Sequence, residues 1–394
     1  MMLRQLLVLC VPLVLCCAAS AAQPRPIVGA IRWDAWHVGS ENSPVRAMER
    51  SLGPKRYHHR LPFFAEVISD TEVKINGYTQ AIVDQEIAYA KAGGLDYWAF
   101  LLYEPSSPMS QALSLYLSSK HRRDIGFCAI AGAKTFGEAA SFPEKSKRIL
   151  DLMSEPGYQR VAGGRPLLYV FNVSDDWIKA WGGEAEAGKL FDGFRAAAKA
   201  RGLQDPYIVV MDFVPAHGKK VADAVHAEAI SSYAISEKGL NGTPYVELTN
   251  AVEWFWDACA KTGAQVVPIA MAGWDRRPRV EHPVPWEKYQ TPGAGMEKYY
   301  STPTPPELAA HIRDAMDWAA AKKDVCPAQA VIIYAWNEHD EGGWLCPTRN
   351  PDGSANHDRL DAIAAMLSDY GKELRKLEGP NDAEARDECI GSAD

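Results

Sequence analysis

The sequence predicts an α/β protein built as a single (β/α)8 TIM barrel with long loops after strands 1, 7 and 8. Eight short apolar segments alternate with amphipathic segments along the 394 residues. The apolar segments are continuous runs, such as VVPIAM and AVIIYA, which are typical of parallel strands covered on both faces. The alternative is an open doubly wound sheet. No GxGxxG, GKT or GKS loop follows the first strand, which disfavours a nucleotide-binding version of that fold.

Each predicted strand is followed by a predicted helix. Gly93 and Gly94 are expected to end the first helix, in which Ile82, Ile87 and Ala90 recur at near-helical spacing. The strands are expected at residues 27–33, 96–103, 125–131, 166–172, 207–213, 229–235, 265–272 and 328–336. The helices are expected at residues 78–92, 109–121, 144–153, 184–201, 216–227, 246–261, 306–322 and 356–377.

The two ends of the chain differ from the barrel. Residues 1–22 are expected to be a signal peptide, because Arg4 precedes a short apolar run and small residues follow it. The barrel domain is expected to span residues 23–377, and the acidic tail 378–394 is expected to be disordered. We therefore expect a protein exported to the periplasm or the extracellular space, with no stable membrane insertion after signal cleavage.

Charge and cysteine content narrow the possible partners. The formal net charge is −8, which argues against nucleic acid. Five cysteines remain beyond the signal, and neither a disulfide framework nor a CxxC zinc pattern is evident. Histidines such as His37, His58 and His59 show no HExxH spacing, so we expect no metal and no cofactor. A monomer is expected.

Three long insertions, residues 38–76, 273–304 and 338–354, follow strands 1, 7 and 8. They therefore belong to the C-terminal face, where barrels carry their chemistry. Polar and aromatic side chains also gather at this rim, where the ends of the other strands meet. The residues expected to bind substrate are Trp33, Asp34, Tyr103, Asp212, Trp274, Asp275, Trp336, Asn337 and His339.

The end of strand eight concentrates three carboxyl groups, Glu338, Asp340 and Glu341, beside a tryptophan and an asparagine. Like charges in an aromatic pocket raise the pKa of one acid, and sugar hydrolysis needs one protonated and one ionised carboxyl. On a helical turn Glu338 and Glu341 would share a face. We predict that these two glutamates are catalytic. A solvated acidic loop or a cation site is the alternative.

Asp275 admits two interpretations. It could orient a sugar together with the neighbouring tryptophan ring. It could instead belong to a salt-bridged loop in which the arginines of the WDRRPR segment neutralise the acidic rim. The two roles are compatible.

Several blocks of the sequence resemble glycoside hydrolase family 99, the endo-α-mannosidases and endo-α-mannanases, and the related family 71 and WbsX-like glycan-processing proteins. The blocks are LPFF at 61–64 with QEIAYAKAGGLDYWAF at 85–100, GWDRRPR at 273–279, and AWNEHDEG at 335–342. The last is the most specific, since these families typically show Trp-Asn-Glu-x-x-Glu-Gly at strand eight.

The resemblance implies separate roles for the two glutamates. Glu338 would be the base that assists attack by the substrate's own 2-hydroxyl on the anomeric carbon. Glu341 would be the general acid/base. His339 stands where tryptophan is common, and Gly343 stands where threonine is expected. These departures alter the pocket wall and leave the identity of the sugar open.

Three functions follow as hypotheses. The first is an exported glycoside hydrolase that cleaves α-linked, mannose-containing or other, glycans with retention through the two strand-eight glutamates. The alternatives are a non-catalytic carbohydrate-binding barrel and another surface-polysaccharide-processing enzyme. The presence of both glutamates favours the first over the second.

Overall fold

The computed structural model describes residues 25–37, 44–236 and 239–378. The predicted signal peptide and nearly all of the predicted acidic tail lie outside these residues. Residues 25–368 form one compact unit, and the last helix continues to Glu378.

Eight parallel strands lie at the centre of the described chain, as the sequence predicted. Each of the eight predicted segments overlaps one of them, with differences of a few residues at the ends. They are β1 Ile27–Arg32, β2 Tyr97–Leu101, β3 Gly126–Gly132, β4 Arg165–Phe171, β5 Tyr207–Met211, β6 Ala229–Ser231, β7 in two parts, Gln265–Val266 and Ile269–Met271, and β8 Ala330–Tyr334.

The strands close into a ring through β7. Its first part pairs with β6 and its second part pairs with β8, while β1 pairs with both β2 and β8. Pro268 lies at the break and has no N–H to donate to a sheet. Hydrogen bonds bridge the break from Val267 N to Ile230 O (3.1 Å) and from Ile332 N to Pro268 O (3.1 Å). The fold is therefore an α/β TIM-barrel-like ring.

A buried tyrosine layer fills the barrel interior. The Tyr97 hydroxyl lies 2.9 Å from the Tyr169 hydroxyl and donates to Val331 O at 3.1 Å. A Cβ atom on Gly29 would overlap the Tyr97 ring. Glycine in β1 is therefore what makes room for this side chain.

Helices surround the ring, and all eight predicted helices are confirmed within a few residues. They are α1 Pro44–Leu52, α2 Gln80–Ala92, α3 Gln111–Ser118, α4 Ala133–Phe136, α5 Phe142–Met153, α6 Asp175–Ala180, α7 Glu184–Ala200, α8 Pro215–Ala224, α9 Tyr245–Lys261, α10 Arg277–Glu281, α11 Pro305–Ala321 and α12 Asp358–Glu378. The short helices α1, α4, α6 and α10 were not predicted. In the described residues, no helix has the length and apolar character needed to cross a bilayer.

The insertions after β1, β7 and β8 carry short elements of their own. These are the 3-10 turns Lys55–Arg60 and His339–Glu341, and the antiparallel pairs Glu66–Val67 with Val73–Lys74, Asn337–Glu338 with Gly343–Trp344, and Thr348–Arg349 with Ala355–Asn356.

The cysteines agree with the sequence analysis where they are described. Cys128, Cys259, Cys326 and Cys346 are buried and unpaired. Cys389 lies outside the described residues.

Candidate active site

A tight hairpin follows β8 and positions the acidic cluster. Asn337 fastens it to the end of β1, because its side-chain oxygen accepts from Trp33 N (2.9 Å) and its amide nitrogen donates to Trp33 O. Gly342 ends the turn at φ +84°. A Cβ there would lie 2.5 Å from Asp275 N, which donates to Glu341 O at 2.7 Å. The loops after β7 and β8 therefore interlock through their backbones.

Arg279, in α10 after β7, binds all three carboxyl groups of the cluster. It donates to Glu338 Oε2 at 3.0 Å, to Asp340 Oδ2 and Oδ1 at 2.6 and 3.1 Å, and to Glu341 Oε1. Arg279 is 4% exposed, and the three acids are also buried. One buried guanidinium thus compensates much of the repulsion that the sequence implied.

Glu341 has the more cationic surroundings of the two glutamates. Arg276 Nε donates to its Oε1 at 3.1 Å, and the Tyr334 hydroxyl donates to its Oε2. Burial alone would raise its pKa. The charges of Arg279 and Arg276 and the Tyr334 hydrogen bond outweigh burial and hold the pKa below its usual value. Glu341 is therefore ionised at neutral pH.

Glu338 has one neutral hydrogen-bond donor, since the Tyr233 hydroxyl donates to its Oε1 at 3.2 Å. Tyr233 stacks on Phe171 with ring centres 4.7 Å apart. Burial, together with the negative charge of Glu341, raises the pKa of Glu338 well above its ordinary value, against the opposing charge of Arg279. This environment favours the protonated form.

Asp340 is a charge partner. Besides Arg279, its Oδ2 accepts from the Ser51 hydroxyl of α1 at 3.3 Å, and the residue is 1% exposed. Through Ser51 it connects the insertion after β1 to the acidic hairpin.

Aromatic rings line the mouth beside the acids. The Trp33 indole donates to the Tyr103 hydroxyl at 2.6 Å, and the Trp33 ring meets Trp286 edge-on at 5.5 Å. The Arg279 guanidinium lies 5.1 Å from the centre of the Trp33 ring. Of the predicted substrate-binding residues, Trp33 and Tyr103 therefore lie next to Glu338 and Arg279.

Trp274 lies near Glu341, because its ring centre is 5.7 Å from that of Tyr334, whose hydroxyl donates to Glu341. It lines a cavity of about 600 Å³, whose wall also includes Arg276, Val280, Leu240 and Tyr299. Arg276 thus contacts Glu341 and also faces this cavity. A bound molecule there would lie one side chain away from the candidate catalytic pair.

Asp34 and Trp336 occupy the helix side of the barrel wall instead of its mouth. Asp34 pairs with Arg32 at 3.0 Å, and Arg32 also pairs with Glu86 of α2 at 2.9 Å. The Trp336 indole donates to Glu86 at 2.9 Å, and its ring packs against Trp98 at 5.0 Å. Neither residue lies among the acids, although both stand at strand ends.

Three more predicted binding residues make structural contacts. Asn337 binds the backbone of Trp33, as above. His339 is 1% exposed, contacts Arg60 O through Nδ1 and stacks on Trp344. Asp212 accepts from Val214 N at 2.8 Å and contacts His217 Nδ1 at 2.5 Å, at the start of α8.

Asp275 forms salt bridges with arginines, which is the second of its two interpretations from the sequence. It pairs with Arg60, and Arg277 donates to it through Nε at 2.9 Å and Nη2 at 2.7 Å. Burial would raise its pKa, but the Arg277 hydrogen bonds and the charges of both arginines lower it. Its carboxylate is thus occupied by arginines.

Sequence reasoning overlooked the individual roles of Arg279, Tyr233 and Tyr334. Arg279 belongs to the WDRRPR segment, whose arginines were expected only as a group to neutralise the rim. Tyr334 closes β8, and Tyr233 lies two residues beyond β6. The two tyrosines could have been found from the sequence, because both lie at the carboxyl ends of predicted strands, where substrate-binding residues were expected.

The fold matches known structures of a glycan-cleaving enzyme. The GH99 endo-α-mannosidase from Bacteroides thetaiotaomicron, in complex with BIS-TRIS-propane, aligns with a TM-score of 0.53 and 14% identity over 90% of this chain and 98% of that chain. A second structure of that enzyme gives 0.52 and 13% over 89% and 98%. No protein-family profile and no curated protein sequence matches the chain. At this identity the likeness establishes a shared fold.

Proposed function

We propose that the chain is an exported glycoside hydrolase that cleaves α-linked glycans, with mannose-containing chains as the first candidates. Glu338 and Glu341 are its catalytic pair. The observation that carries this proposal is their opposite proton affinity at the mouth of the barrel. The fold shared with a GH99 endo-α-mannosidase supports the reaction class.

The opposite pKa shifts favour one assignment of roles to the two glutamates. Glu338 holds its proton because it is buried beside Glu341, and Glu341 stays ionised between Arg276 and Arg279. A protonated carboxyl can donate to the leaving glycosidic oxygen, and an ionised one can assist attack on the anomeric carbon. We therefore assign proton donation to Glu338, the reverse of the roles that the family resemblance implies.

The rings beside the pair supply a binding surface. Trp33 and Trp286 meet edge-on above Arg279, and Trp274 is partly exposed beside Arg276. Aromatic faces combine apolar area with little loss of conformational entropy. We propose that Trp33 and Trp274 contact sugar faces on either side of the scissile bond.

The decisive experiment compares Glu338→Gln with Glu341→Gln on two kinds of substrate. A natural α-mannan needs protonation of its leaving oxygen, whereas an aryl α-mannoside with a strongly acidic phenol does not. We expect both variants to lose about 10²–10⁴-fold on the mannan. Only Glu338→Gln should keep substantial activity on the aryl glycoside.

Glu104→Gln is the matched control, since Glu104 follows Tyr103 on the same rim and its side chain is 69% exposed. It should behave like the wild type on both substrates. Retained aryl-glycoside activity in Glu341→Gln instead would restore the roles implied by the resemblance. Full mannan hydrolysis by both glutamine variants would refute the site.

A non-catalytic carbohydrate-binding barrel is the second candidate, and the Arg279 contacts favour it. A buried arginine that satisfies three carboxyl groups is also how a purely structural ion cluster is built. This candidate predicts saturable binding of α-mannan without release of reducing ends. Glu341→Gln would then bind as the wild type does.

A further inference from the structure

His311, in the middle of α11, is buried without a polar partner. It is 1% exposed, and neither ring nitrogen has a hydrogen-bond partner among the described residues. Its ring stacks on Trp256 of α9 at 5.9 Å and 7° and meets Tyr245 edge-on at 6.1 Å. An unsatisfied buried polar group costs about 1–3 kcal/mol, so such a side chain calls for a physical reason.

The histidine ring is held rigidly by neighbours that are anchored to β7. The Trp256 indole donates to Ile269 O at 2.8 Å, and the Tyr245 hydroxyl donates to Met271 O at 2.5 Å. Burial lowers the pKa of His311 to about 3. The imidazole is therefore neutral at physiological pH, with a lone pair available on one nitrogen.

Two carboxyl groups at the surface converge on this ring. Glu253 projects from α9, and Asp314 lies three residues after His311 on α11. One ligand atom from each of the three residues lies within 4.8 Å of the other two. Burial raises the pKa of both acids. The negative charge of Asp314 adds to this on Glu253, and that of Asp317 adds to it on Asp314 against the opposing charge of Arg313. Among the described residues, neither carboxylate forms an ion pair.

We propose that Glu253, His311 and Asp314 bind one divalent transition-metal ion, with Zn²⁺ the best match, and that this ion ties α9 to α11. One imidazole nitrogen and two carboxylate oxygens form a donor set that Zn²⁺ accepts, with water completing the coordination. The ion would give the buried imidazole a partner and remove the repulsion between the two acids.

The position of the site suggests a structural role. Helices α9 and α11 cover β7, the strand that Pro268 divides into two short parts. An ion that joins the two helices would brace the least continuous part of the ring. The proposed site lies in the helix layer and uses none of the residues around Glu338, so it does not depend on the proposed hydrolase activity.

The test uses the full chain after treatment with a chelator and gel filtration. Isothermal titration calorimetry with Zn²⁺ should show one ion bound per chain. Thermal unfolding should show a higher Tm with Zn²⁺ than without it. Co²⁺ should give the visible absorption bands of a four- or five-coordinate site. Asp314→Asn and Glu253→Gln should each weaken binding by roughly 100-fold or more, since even loss of an outer-shell partner costs 10–100-fold.

Asp317→Asn is the control, because it removes the same charge from the next turn of α11. It should bind Zn²⁺ within about threefold of the wild type. Without metal, Asp314→Asn should be at least as stable as the wild type, because it relieves a like-charge contact; a folded variant is thereby assured. No binding by the wild type, or equal losses in Asp314→Asn and Asp317→Asn, would overturn the proposal.

Discussion

At the scale of single residues, the three carboxyl groups of the acidic cluster share the Arg279 guanidinium unequally. Arg279 makes two hydrogen bonds to Asp340 and one each to Glu338 and Glu341. Glu341 gains Arg276 as well, whereas Glu338 gains only the neutral Tyr233. The proton that the cluster needs to lower its negative charge therefore resides on Glu338.

This inequality predicts opposite effects of two isosteric changes on stability. The folded-state pKa of Glu338 is raised, so the wild type loses stability as pH rises above the unfolded-state value. Glu338→Gln escapes that loss and should gain stability relative to the wild type between pH 5 and pH 8. The pKa of Glu341 is lowered, so its contribution is fully present at neutral pH, and Glu341→Gln should cost about 1.5–3 kcal/mol there.

Urea unfolding at several pH values measures both effects. Glu104→Gln should leave the free energy of unfolding within about 0.5 kcal/mol of the wild type at every pH, as expected of an exposed position. If Glu338→Gln became progressively less stable than the wild type as pH rose, the assignment of the proton to Glu338 would be wrong.

The sequence located the acidic cluster but could not sort its neighbours by face. Successive side chains in a strand point to opposite sides, so a run of polar residues at a strand end cannot all face the mouth. Trp33 points inward, whereas Arg32 and Asp34 point towards α2. Which set of alternate residues faces the barrel interior depends on the register between strands, and a single sequence does not reveal that register.

At the scale of elements, the loops after β7 and β8 act as one unit. Gly273 has φ +134°, and a Cβ on it would overlap Gly342 O. Gly342 in turn faces Asp275 N, as described above. The two loops can therefore approach this closely only because both positions are glycines without a Cβ. This close approach brings the arginines of the loop after β7 next to the acids of the loop after β8.

Gly342→Ala should separate these loops. The left-handed backbone alone costs about 1–2 kcal/mol for a residue with a Cβ. The clash with Asp275 N at 2.5 Å must add to this, because backbone atoms cannot rotate away. We expect a lower Tm together with loss of the ion pairs between Arg279 and the glutamates, and therefore of any glycan hydrolysis.

Gly263→Ala is the control that separates the steric clash with Asp275 from the free-energy cost of the left-handed backbone. Gly263 has nearly the same φ, +82°, and a Cβ added to it would have no neighbouring atom within 4 Å. It should lose only the backbone contribution and keep activity. Equal loss of Tm in the two variants would mean that the contact between the loops carries no energy.

The regular elements were predictable because apolar residues recur at helical spacing in the helices and form continuous runs in the strands. The helices of 12 residues or more show clear periodicity, and the strands of β1 to β6 and β8 are compact apolar runs. The helix α1 and the turn Lys55–Arg60 were not foreseen inside the first insertion, because the prolines of that insertion are typical of a loop. The pattern of α1 was nevertheless present, since Val45, Met48 and Leu52 recur at helical spacing and are buried. The division of β7 was visible only as a proline within an apolar run.

At the scale of the whole molecule, buried histidines set the acid limit of stability. Burial lowers the pKa of His339 to about 3, and burial with the charge of Arg32 lowers that of His37 to about 4. An unfolded histidine titrates near 6.5. Unfolding therefore takes up protons below pH 6.5, and the folded state loses stability as pH falls from 6.5 towards 4.

His339→Phe should make this acid dependence shallower. One proton fewer is bound on unfolding, so the slope of unfolding free energy against pH should fall by about 1.4 kcal/mol per pH unit between pH 6 and 4.5. A phenyl ring preserves the stacking on Trp344 and the edge contact with Trp36. Denaturant titrations across this range provide the slope.

Trp36→Phe is the companion variant, since it loosens the same packing without removing a titratable group. It should lower stability while leaving the slope as in the wild type. An unchanged slope in His339→Phe would show that the histidine is protonated equally in both states.

The break at Pro268 leaves β7 with little sheet to hold the loop that carries Arg279. The two parts of β7 contain two and three residues, and the ladder between β6 and β7, with two residue pairs, is the shortest in the ring. β7 can pair with β8 only after residues 272–329 between them have closed into a loop. Arg279 enters from the loop after β7, and the acids enter from the loop after β8. The difference in proton affinity between Glu338 and Glu341 therefore arises only once β7 and β8 have paired, so a nascent chain would carry the two glutamates without the proposed combination of one protonated and one ionised carboxyl.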